Sequence, residues 1–244
     1  MRVKGNTALI TGGATGIGYA LARALVDLDN EVIICGRRRE VLREAKSGIP
    51  TLHVKVCDVS RRGSRAALVR WVTERFKPLN ILVNNAGVQH SVGFTKGARD
   101  LEETSAEIAT NLVGPLELSA MLIPHLRRRK ESAIVNITSG LAFTPLAAVP
   151  VYCATKAGLH SLSMSMRRQL RDTPIRLFEV APPMVSTDLG GRRRHRDEVA
   201  WCMSAEDAAS GIVEALENDR LEVALGGAAH LRTKRDVAFD DMNA

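Results

Sequence analysis

The sequence is poor in aromatic residues and in paired cysteines, and each shortage excludes a class of protein. Phe, Trp and Tyr make up only 4% of the 244 residues, too few for the stacking platforms that bind single-stranded nucleic acid. The four cysteines, Cys35, Cys57, Cys153 and Cys202, show neither a CxxC pair nor the spacing of a metal site. We therefore predict unpaired, mostly buried thiols in a reducing compartment.

Long apolar runs and a leader segment are also missing. No apolar run approaches the ~18 residues of a membrane span. Residues 1–6 run directly into a strand-like segment and leave no room for a signal peptide. We therefore expect a cytoplasmic protein with no membrane partner.

Acidic residues are fewer than basic ones, and the formal net charge is +7. The arginines cluster at 37–39, 61–62, 127–129 and 192–194. Such a charge would suit a nucleic-acid-binding protein, but the clusters fall in four separate connections and aromatic residues are scarce. We expect no nucleic-acid partner. Solvated surface explains most of the charge, and an anionic cofactor explains the first cluster.

Strand-like and helix-like segments alternate along the chain. Short apolar or β-branched runs that predict strands lie at 6–11, 31–35, 52–56, 81–83, 132–138, 175–180 and 221–225. Helical patterns lie at 17–28, 39–47, 60–76, 101–129, 151–170 and 205–217, with a kink expected at Gly114-Pro115. The alternation predicts an α/β fold: a single Rossmann-type, doubly wound parallel sheet of about seven strands with helices on both faces.

The length fits one domain. We predict a dinucleotide-binding catalytic domain over residues 1–228 and a polar C-terminal tail over 229–244, either disordered or docked on a partner subunit. Residues 182–203 follow the carboxyl end of a strand, where open α/β sheets bind ligands, so we interpret them as a substrate loop. The arginine-rich stretch 192–196 is either a clamp for an anionic substrate or a solvated loop.

A glycine-rich turn, TGGATGIG at 11–18, follows the first strand and opens the first helix. Gly12 allows the tight turn, Gly16 lets the backbone approach a pyrophosphate, and Gly18 permits close packing of helix on strand. The N–H groups of the helix N-terminus then face the phosphates. An ordinary βα turn is the alternative. We predict that the cofactor contacts are Gly12, Thr15, Gly16, Ile17 and Gly18.

A tyrosine and a lysine share one face of a later helix, because Tyr152 and Lys156 are four residues apart. A free tyrosine has a pKa of ~10, and lowering it by ~3 units takes roughly 4 kcal/mol. A lysine ammonium ~4 Å away supplies about that much. Tyr152 would then act as general acid or base on a substrate oxygen. Ser139 ends a strand and would orient that oxygen, although Thr138 and Gly140 flank it.

Four motifs occur in one order: TGGATGIG, NNAG at 84–87, Ser139, and YCATK at 152–156, with Asn111 between the second and third. Together they resemble the short-chain dehydrogenase/reductase family, from residue 6 to about 225. The resemblance implies an oxidoreductase that interconverts a carbonyl and an alcohol by hydride transfer. It also implies that Lys156 binds the nicotinamide ribose and that Asn111 holds a water in a proton relay.

The resemblance assigns further cofactor contacts. Asp58 and Val59 match the positions that bind and line the adenine site; the alternative for Asp58 is a helix N-cap beside Ser60. Thr187 matches the threonine that contacts the nicotinamide carboxamide, but Pro183 stands where the family usually has glycine. The turn that touches the adenosine side is matched by Asn85, Ala86 and Gly87.

The end of the second strand decides between the two nicotinamide cofactors. Family members that use NAD carry an acid there, whereas this chain has Cys35-Gly36-Arg37-Arg38. Arg37 can pair with a 2′-phosphate by charge-assisted hydrogen bonds, and Arg38 is a weaker candidate. We predict that NADP(H) is preferred over NAD(H).

Other readings remain open for activity and assembly. A regulator that senses NADPH would bind the cofactor without turnover, and a nucleotide-sugar epimerase or dehydratase would need a longer chain. Family members are usually dimers or tetramers built on the helices at 101–129 and 151–171, and we expect a homodimer, with a tetramer possible. No metal site is expected, because the candidate ligands lie on different elements and lack an HxxxH pattern: His90, His125, His160 and His195.

Overall fold

The computed structural model describes residues 1–101, 103–189 and 202–243. Within them, seven parallel strands form one sheet in the order β3-β2-β1-β4-β5-β6-β7. The strands are β1 Thr7–Thr11, β2 Glu31–Gly36, β3 His53–Val56, β4 Ile81–Asn84, β5 Ser132–Ile137, β6 Ile175–Ala181 and β7 Glu222–Ala224. The predicted Rossmann-type sheet is confirmed, and each strand end differs from its predicted position by at most one residue.

Helices cover both faces of the sheet, which explains why the central strands are continuous apolar runs. The helices are α1 Gly16–Asp27, α2 Arg39–Gly48, α3 Arg62–Arg75, α4 Thr104–Ile108, α5 Gly114–Leu126, α6 Pro150–Leu170, α7 Ala205–Glu217, α8 Gly227–Lys234 and α9 Phe239–Asn243. On β1, Ala8 and Ile10 pack in one core with α1, α2 and α7. Leu9 between them packs in the other core with α3, α5 and α6.

The order of the strands places a crevice beside β1. The chain runs outward from β1 to β2 and β3, then returns to pair β4 with the other side of β1. The connections that leave the carboxyl ends of β1 and β4 therefore diverge to opposite sides, and such a switch point is where doubly wound sheets bind ligands. The glycine-rich turn and the segment 85–90 are these two connections.

The long helix predicted over 101–129 is broken. A π-helical turn, Ala109–Val113, separates α4 from α5. Pro115 has no N–H to donate to an earlier carbonyl, so a continuous helix would lose a hydrogen bond at this point. A side chain at Gly114 would meet the Val59 carbonyl oxygen at 3.0 Å. The irregular turn thus precedes the kink expected at Gly114-Pro115.

By length and composition, Thr104–Leu126 is also the one helical segment in the described residues apolar enough to cross a membrane. Its apolar side is already used by the fold: Leu118, Leu122 and Leu126 are buried against the sheet. Helices in the core of water-soluble proteins can be equally long and apolar. The segment is therefore explained by its packing here.

The C-terminal segment is helical up to residue 243. The boundary predicted at 228/229 falls inside α8, and Ala228 is fully buried. The Thr144 hydroxyl donates to the carbonyls of Leu231 and Arg235 at 3.1 and 3.0 Å. The described part of the segment is therefore helical and contacts the loop that follows β5 in its own chain.

Candidate active site

The glycine-rich turn is packed against the end of β4. Gly12 has φ +64°, and an added Cβ would lie 2.9 Å from the Ala86 Cα. A Cβ on Gly18 would lie 2.4 Å from the Gly12 carbonyl oxygen and 2.5 Å from the Asn85 side-chain nitrogen. Both positions therefore require glycine. The glycine turn thus packs closely on Asn85 and Ala86, as the predicted dinucleotide site requires.

Thr187 lies beside the first turn of α1. Gly16 has φ +52°, and a Cβ there would lie 2.8 Å from the Thr187 Cγ2. Thr15 precedes the helix in an extended conformation, and Ile17 packs on the core. The loop leading to Thr187 is held because the Gly140 N–H donates to the Pro182 carbonyl at 2.9 Å. The two prolines therefore leave Thr187 next to the glycine turn.

The turn after β4 is held by one side-chain amide and one hydroxyl group. Asn85 Nδ2 donates to the Thr11 carbonyl at 2.9 Å, and the Thr11 hydroxyl accepts from the N–H groups of Asn85 and Ala86 at 3.0 Å each. A Cβ on Gly87 would lie 3.5 Å from Asn111 Oδ1 and 3.8 Å from Lys156 Nζ. The NNAG segment thus runs from the glycine turn to the predicted proton-transfer residues.

Arg37, Arg38 and Asp58 lie at the exposed ends of β2 and β3. Both arginines are exposed. Partial burial acts to raise the pKa of the Asp58 carboxyl, but hydrogen bonds from Ser60 and the charge of Arg37 outweigh it and hold that pKa below its usual value. The Asp58 Oδ1 accepts from the Ser60 N–H and hydroxyl at 3.0 and 2.6 Å.

The α3 N-cap interpretation of Asp58 is wrong, since Arg61 occupies the N-cap position and makes no side-chain cap bond. Val59, next in the chain, is buried. Its carbonyl accepts from the buried Arg65 guanidinium at 2.5 Å, and Arg65 also pairs with Glu117 at 2.6 Å. The predicted adenine-lining residue is therefore anchored from behind by α3 and α5.

Tyr152 and Lys156 lie buried on one face of α6, with the Lys156 Nζ 5.6 Å from the centre of the Tyr152 ring. The Nζ donates to the Ile137 carbonyl at 2.8 Å. Burial lowers the pKa of Lys156 to about 8. Ser139, two residues after Ile137, is also buried, and its Oγ accepts from the Leu141 N–H at 3.1 Å. The end of β5 and the tyrosine helix thus meet at the Lys156 ammonium.

Asn111 occupies the π-helical turn and is fully buried. Its Oδ1 accepts from the Val88 N–H at 2.9 Å, and its Nδ2 donates to the Val88 carbonyl at 2.8 Å and to the Thr155 hydroxyl at 3.2 Å. The amide therefore joins the NNAG segment to α6. Together, Asn111, Ser139, Tyr152 and Lys156 come from three elements that converge at the carboxyl edge of the sheet.

Two buried carboxylates near this edge, each paired with a partly exposed histidine, were not predicted from the sequence. Glu107 Oε2 lies 3.2 Å from His90 Nδ1, and Glu179 Oε1 lies 2.9 Å from His160 Nδ1. Burial raises the pKa of both carboxyls, although the histidines act to lower it. The sequence contains one indication of the first pair. Glu107 stands four residues before Asn111, so the two residues lie about one helical turn apart.

Two other expectations concern the cysteines and the arginine-rich loop. Cys35, Cys57 and Cys153 are buried and form no disulfide, as predicted. Residues 192–196 lie outside the described residues.

The comparisons with known proteins agree with this geometry. Residues 6–198 match the family model of the short chain dehydrogenases. A Bacillus subtilis protein described as the uncharacterized oxidoreductase DltE is 45% identical over 248 residues, which cover 100% of this chain and 98% of the relative. The chain belongs to the short-chain dehydrogenase/reductase family, whose members are oxidoreductases that use NAD(P)(H).

Solved structures share the fold with either form of the cofactor. A short-chain dehydrogenase from Sphingobium yanoikuyae in complex with NADPH has a TM-score of 0.82 at 25% identity, over 93% of this chain and 91% of that one. A family member from Burkholderia phymatum in complex with NAD has a TM-score of 0.86 at 19% identity, over 100% and 97%. The second likeness shows the fold alone.

Proposed function

We propose that this chain is an NADPH-dependent oxidoreductase that interconverts a carbonyl and an alcohol, with Tyr152 as general acid and base. The observation that carries the proposal is the buried Tyr152–Lys156 pair on α6, with 5.6 Å between the ammonium and the ring centre. The pair faces the edge of the sheet at which the glycine turn forms a cradle for a dinucleotide.

Each residue has a separate task in this reaction. The nicotinamide, when bound, supplies or accepts the hydride. Tyr152 donates a proton to the carbonyl oxygen during reduction, or takes one from the alcohol during oxidation. The Lys156 ammonium stabilises the phenolate, and Ser139 orients the substrate oxygen. Asn111 holds the 87–88 backbone beside Lys156, so we assign it the support of a water that returns the proton.

The preference for NADP(H) rests on charge. Residues 36–39 contain no carboxylate to repel a 2′-phosphate. The nearest acid in α2, Glu40, is paired with Arg43 at 2.8 Å. Arg37 is exposed close enough to Asp58 to lower the pKa of that carboxyl, so its guanidinium stands at the mouth of the predicted adenosine site. We assign the 2′-phosphate to Arg37, with Arg38 as the second contact.

The first test follows NADPH and NADH oxidation against a panel of ketones, aldehydes and quinones. We expect turnover with NADPH that is lost in Tyr152→Phe by a factor of at least ~100. If the protein bound NADPH tightly without turnover, and Tyr152→Phe left that binding unchanged, a regulator that senses NADPH would be favoured instead.

Arg37→Ala tests the cofactor assignment. We expect the KM for NADPH to rise ~10- to 100-fold, because one or two charge-assisted hydrogen bonds are lost, while the KM for NADH stays within ~2-fold. Arg39→Ala is the matched control, since Arg39 is also exposed but begins α2. Equal effects on the two cofactors would refute the assignment.

We also propose a homodimer in the cytoplasm. Large apolar side chains are exposed on the helices expected to form the interface: Ile108 on α4 is 42% exposed, Leu116 on α5 43% and Met164 on α6 53%. A second subunit that covered this face would bury them. We propose no nucleic-acid partner despite the net charge of +7, because the arginine clusters are dispersed and aromatic residues are scarce.

A further inference from the structure

Glu179 is a fully buried carboxylate in the sheet, one strand in from the edge strand β7. It lies on β6 directly opposite Asn136 of β5. Its chain neighbours Phe178 and Val180 point into an apolar core. A buried charge at such a position is strongly unfavourable unless it is paired and hydrogen-bonded. The partners of Glu179 therefore explain why the fold tolerates it.

Those partners lie on both sides of the proposed catalytic site. Glu179 Oε1 accepts from the Thr138 hydroxyl at 2.9 Å, and Thr138 immediately precedes Ser139. His160 Nδ1 lies 2.9 Å from Oε1 and 3.0 Å from Oε2. His160 stands one helical turn beyond Lys156 and two turns beyond Tyr152 on α6. One carboxylate thus links the strand end that carries the serine to the helix that carries the tyrosine and lysine.

We propose that Glu179, held by Thr138 and His160, is a positioning residue that fixes Ser139 relative to Tyr152 and Lys156. The inference rests on the proposed function and adds a residue to it. A substrate oxygen must be met by Ser139 and Tyr152 at once, and a misplacement of ~1 Å costs about 100-fold in rate. Two other bonds among the described residues join β5 to α6: Lys156 Nζ donates to the Ile137 carbonyl at 2.8 Å, and Asn136 Nδ2 donates to the Ser163 hydroxyl at 2.9 Å. Neither bond reaches Thr138, the neighbour of Ser139.

Further charged residues surround Glu179, Thr138 and His160, which together we call the Glu179 clamp, and these charges hold it in place. Arg167 Nη2 lies 4.0 Å from Glu179 Oε2, and its Nη1 pairs with Glu222 of β7 at 3.3 Å. Arg232 of α8 pairs with the other Glu222 oxygen at 2.5 Å and lies over the Phe143 ring, 5.9 Å from its centre. The Phe143 ring in turn packs edge-on against His160. The docked C-terminal helix thereby closes the network from outside.

The same cluster has the composition of a metal site, since ligand atoms of His160, Glu179 and Glu222 lie within 4.8 Å of one another. A cation there would face the guanidinium groups of Arg167 and Arg232, which already pair with Glu222. The charge is therefore balanced within the protein, and an ion-pair network is the better description of the cluster.

The test combines steady-state kinetics with NADPH binding. Glu179→Gln keeps the shape and an acceptor oxygen but removes the charge. We expect kcat for ketone reduction to fall ~10- to 100-fold, with the Kd for NADPH within ~2-fold of the wild type. Glu31→Gln is the matched control, because Glu31 also accepts from a threonine hydroxyl, that of Thr7 at 3.1 Å, and lies 3.3 Å from His53, but it begins β2 at the amino edge of the sheet. Its kcat should stay within ~3-fold.

A second pair of variants separates positioning from folding. Thr138→Val is isosteric but lacks the hydroxyl that bonds Glu179, and should lower kcat as Glu179→Gln does. Thr138→Ser restores the hydroxyl and should recover most of the rate. Loss of kcat in Thr138→Val and Thr138→Ser alike, or a loss matched by weaker NADPH binding, would show that the cluster is only structural.

The dependence of kcat on pH separates positioning from packing, because it should change only if the charge of Glu179 matters for the rate. Burial raises the pKa of Glu179, so the wild-type kcat should fall as pH drops through that raised pKa and the clamp loses its charge. Glu179→Gln should be slow but lack this acid limb. His160→Gln removes a group that lowers the Glu179 pKa, so the limb should move to higher pH.

The outcomes distinguish this inference from the proposed function. Wild-type turnover that requires Tyr152, with Glu179→Gln indistinguishable from the wild type in kcat and pH profile, overturns the clamp and leaves the function intact. A wild type without turnover on any substrate of the panel overturns both.

Discussion

Lys156 carries an ammonium group into the protein interior, where it donates to the Ile137 carbonyl. Burial lowers its pKa from 10.5 to about 8. The lysine is therefore mostly charged at pH 7, as stabilisation of a tyrosine anion requires, but the fold carries a cost for keeping it so. By the usual conversion, a shift of this size corresponds to about 3 kcal/mol.

Lys156→Met should separate stability from activity. We expect the variant to be more stable at pH 7 by roughly 2 kcal/mol, once about 1 kcal/mol for the lost bond to Ile137 is deducted, and at least ~100-fold less active. Because the folded-state pKa is lowered, wild-type stability should rise between pH 8 and 10.5, and the variant should lack this rise. Urea unfolding at pH 7 and pH 10 measures the stability of the two proteins and its pH dependence. A variant whose stability depends on pH as the wild type's does would contradict the proposed cost of burying Lys156.

Gly16→Ala should weaken the cofactor site. The φ of +52° disfavours any side chain by about 1 kcal/mol, and the new Cβ would lie 2.8 Å from the Thr187 Cγ2. We expect the Kd for NADPH to rise ~10-fold by fluorescence titration. Gly63→Ala is the control, because nothing lies within 4 Å of a Cβ there. If both variants bound NADPH like the wild type, Thr187 would not be part of the site.

At the scale of the element, the interrupted helix of α4, the π-turn and α5 is the part that shapes the site. Glu107 and Asn111 lie about one turn apart and both contact the segment that follows β4: Asn111 binds the Val88 backbone, and Glu107 lies 3.2 Å from His90. Glu107 Oε1 is buried and has no hydrogen-bond partner among the described residues. The helix thus holds this segment by one neutral and one ionisable contact.

Glu107→Gln should change how stability depends on pH. Burial raises the folded-state pKa of Glu107, so its carboxyl is favoured when protonated, and wild-type stability should fall as pH rises through that range. The variant should lack this loss, so its Tm advantage should grow as pH rises above 4.5, the ordinary pKa of a glutamate carboxyl. Scanning fluorimetry over this range measures it. A wild type that instead gains on the variant as pH rises would show that the His90 pairing dominates.

At the scale of the whole molecule, large apolar side chains are exposed on α4, α5 and α6, the helices proposed to form the dimer interface. If they form that interface, Leu116→Lys and Met164→Lys should each weaken the dimer at least ~10-fold. Val237→Lys is the control, because Val237 is 79% exposed on the C-terminal segment. Sedimentation velocity over a range of concentrations measures the effect. A monomeric wild type at micromolar concentration, or an equal effect of Val237→Lys, would contradict the proposal.

Much of the fold and of the site follows from local patterns in the sequence. The alternation of apolar runs places all seven strands, and α7 begins at Ala205 and ends at Glu217 as predicted. The glycine turn, Tyr152 and Lys156 are found because turn chemistry and helical spacing act over a few neighbouring residues. These signals fix where the residues stand; their roles remain predictions.

Only the tertiary structure decided the contacts between distant segments. Nothing near Glu179 in the chain announces that Thr138, 41 residues earlier, will be its partner, because β5 and β6 become neighbours only when the sheet forms. The π-turn at Asn111 and the docking of α8 beside Thr144 likewise satisfy polar groups from remote parts of the chain. The sequence by itself determined which elements form and which residues end at the sheet edge. Packing between elements decided which buried charges are paired, since a charge far from its partner in sequence can be satisfied only after folding.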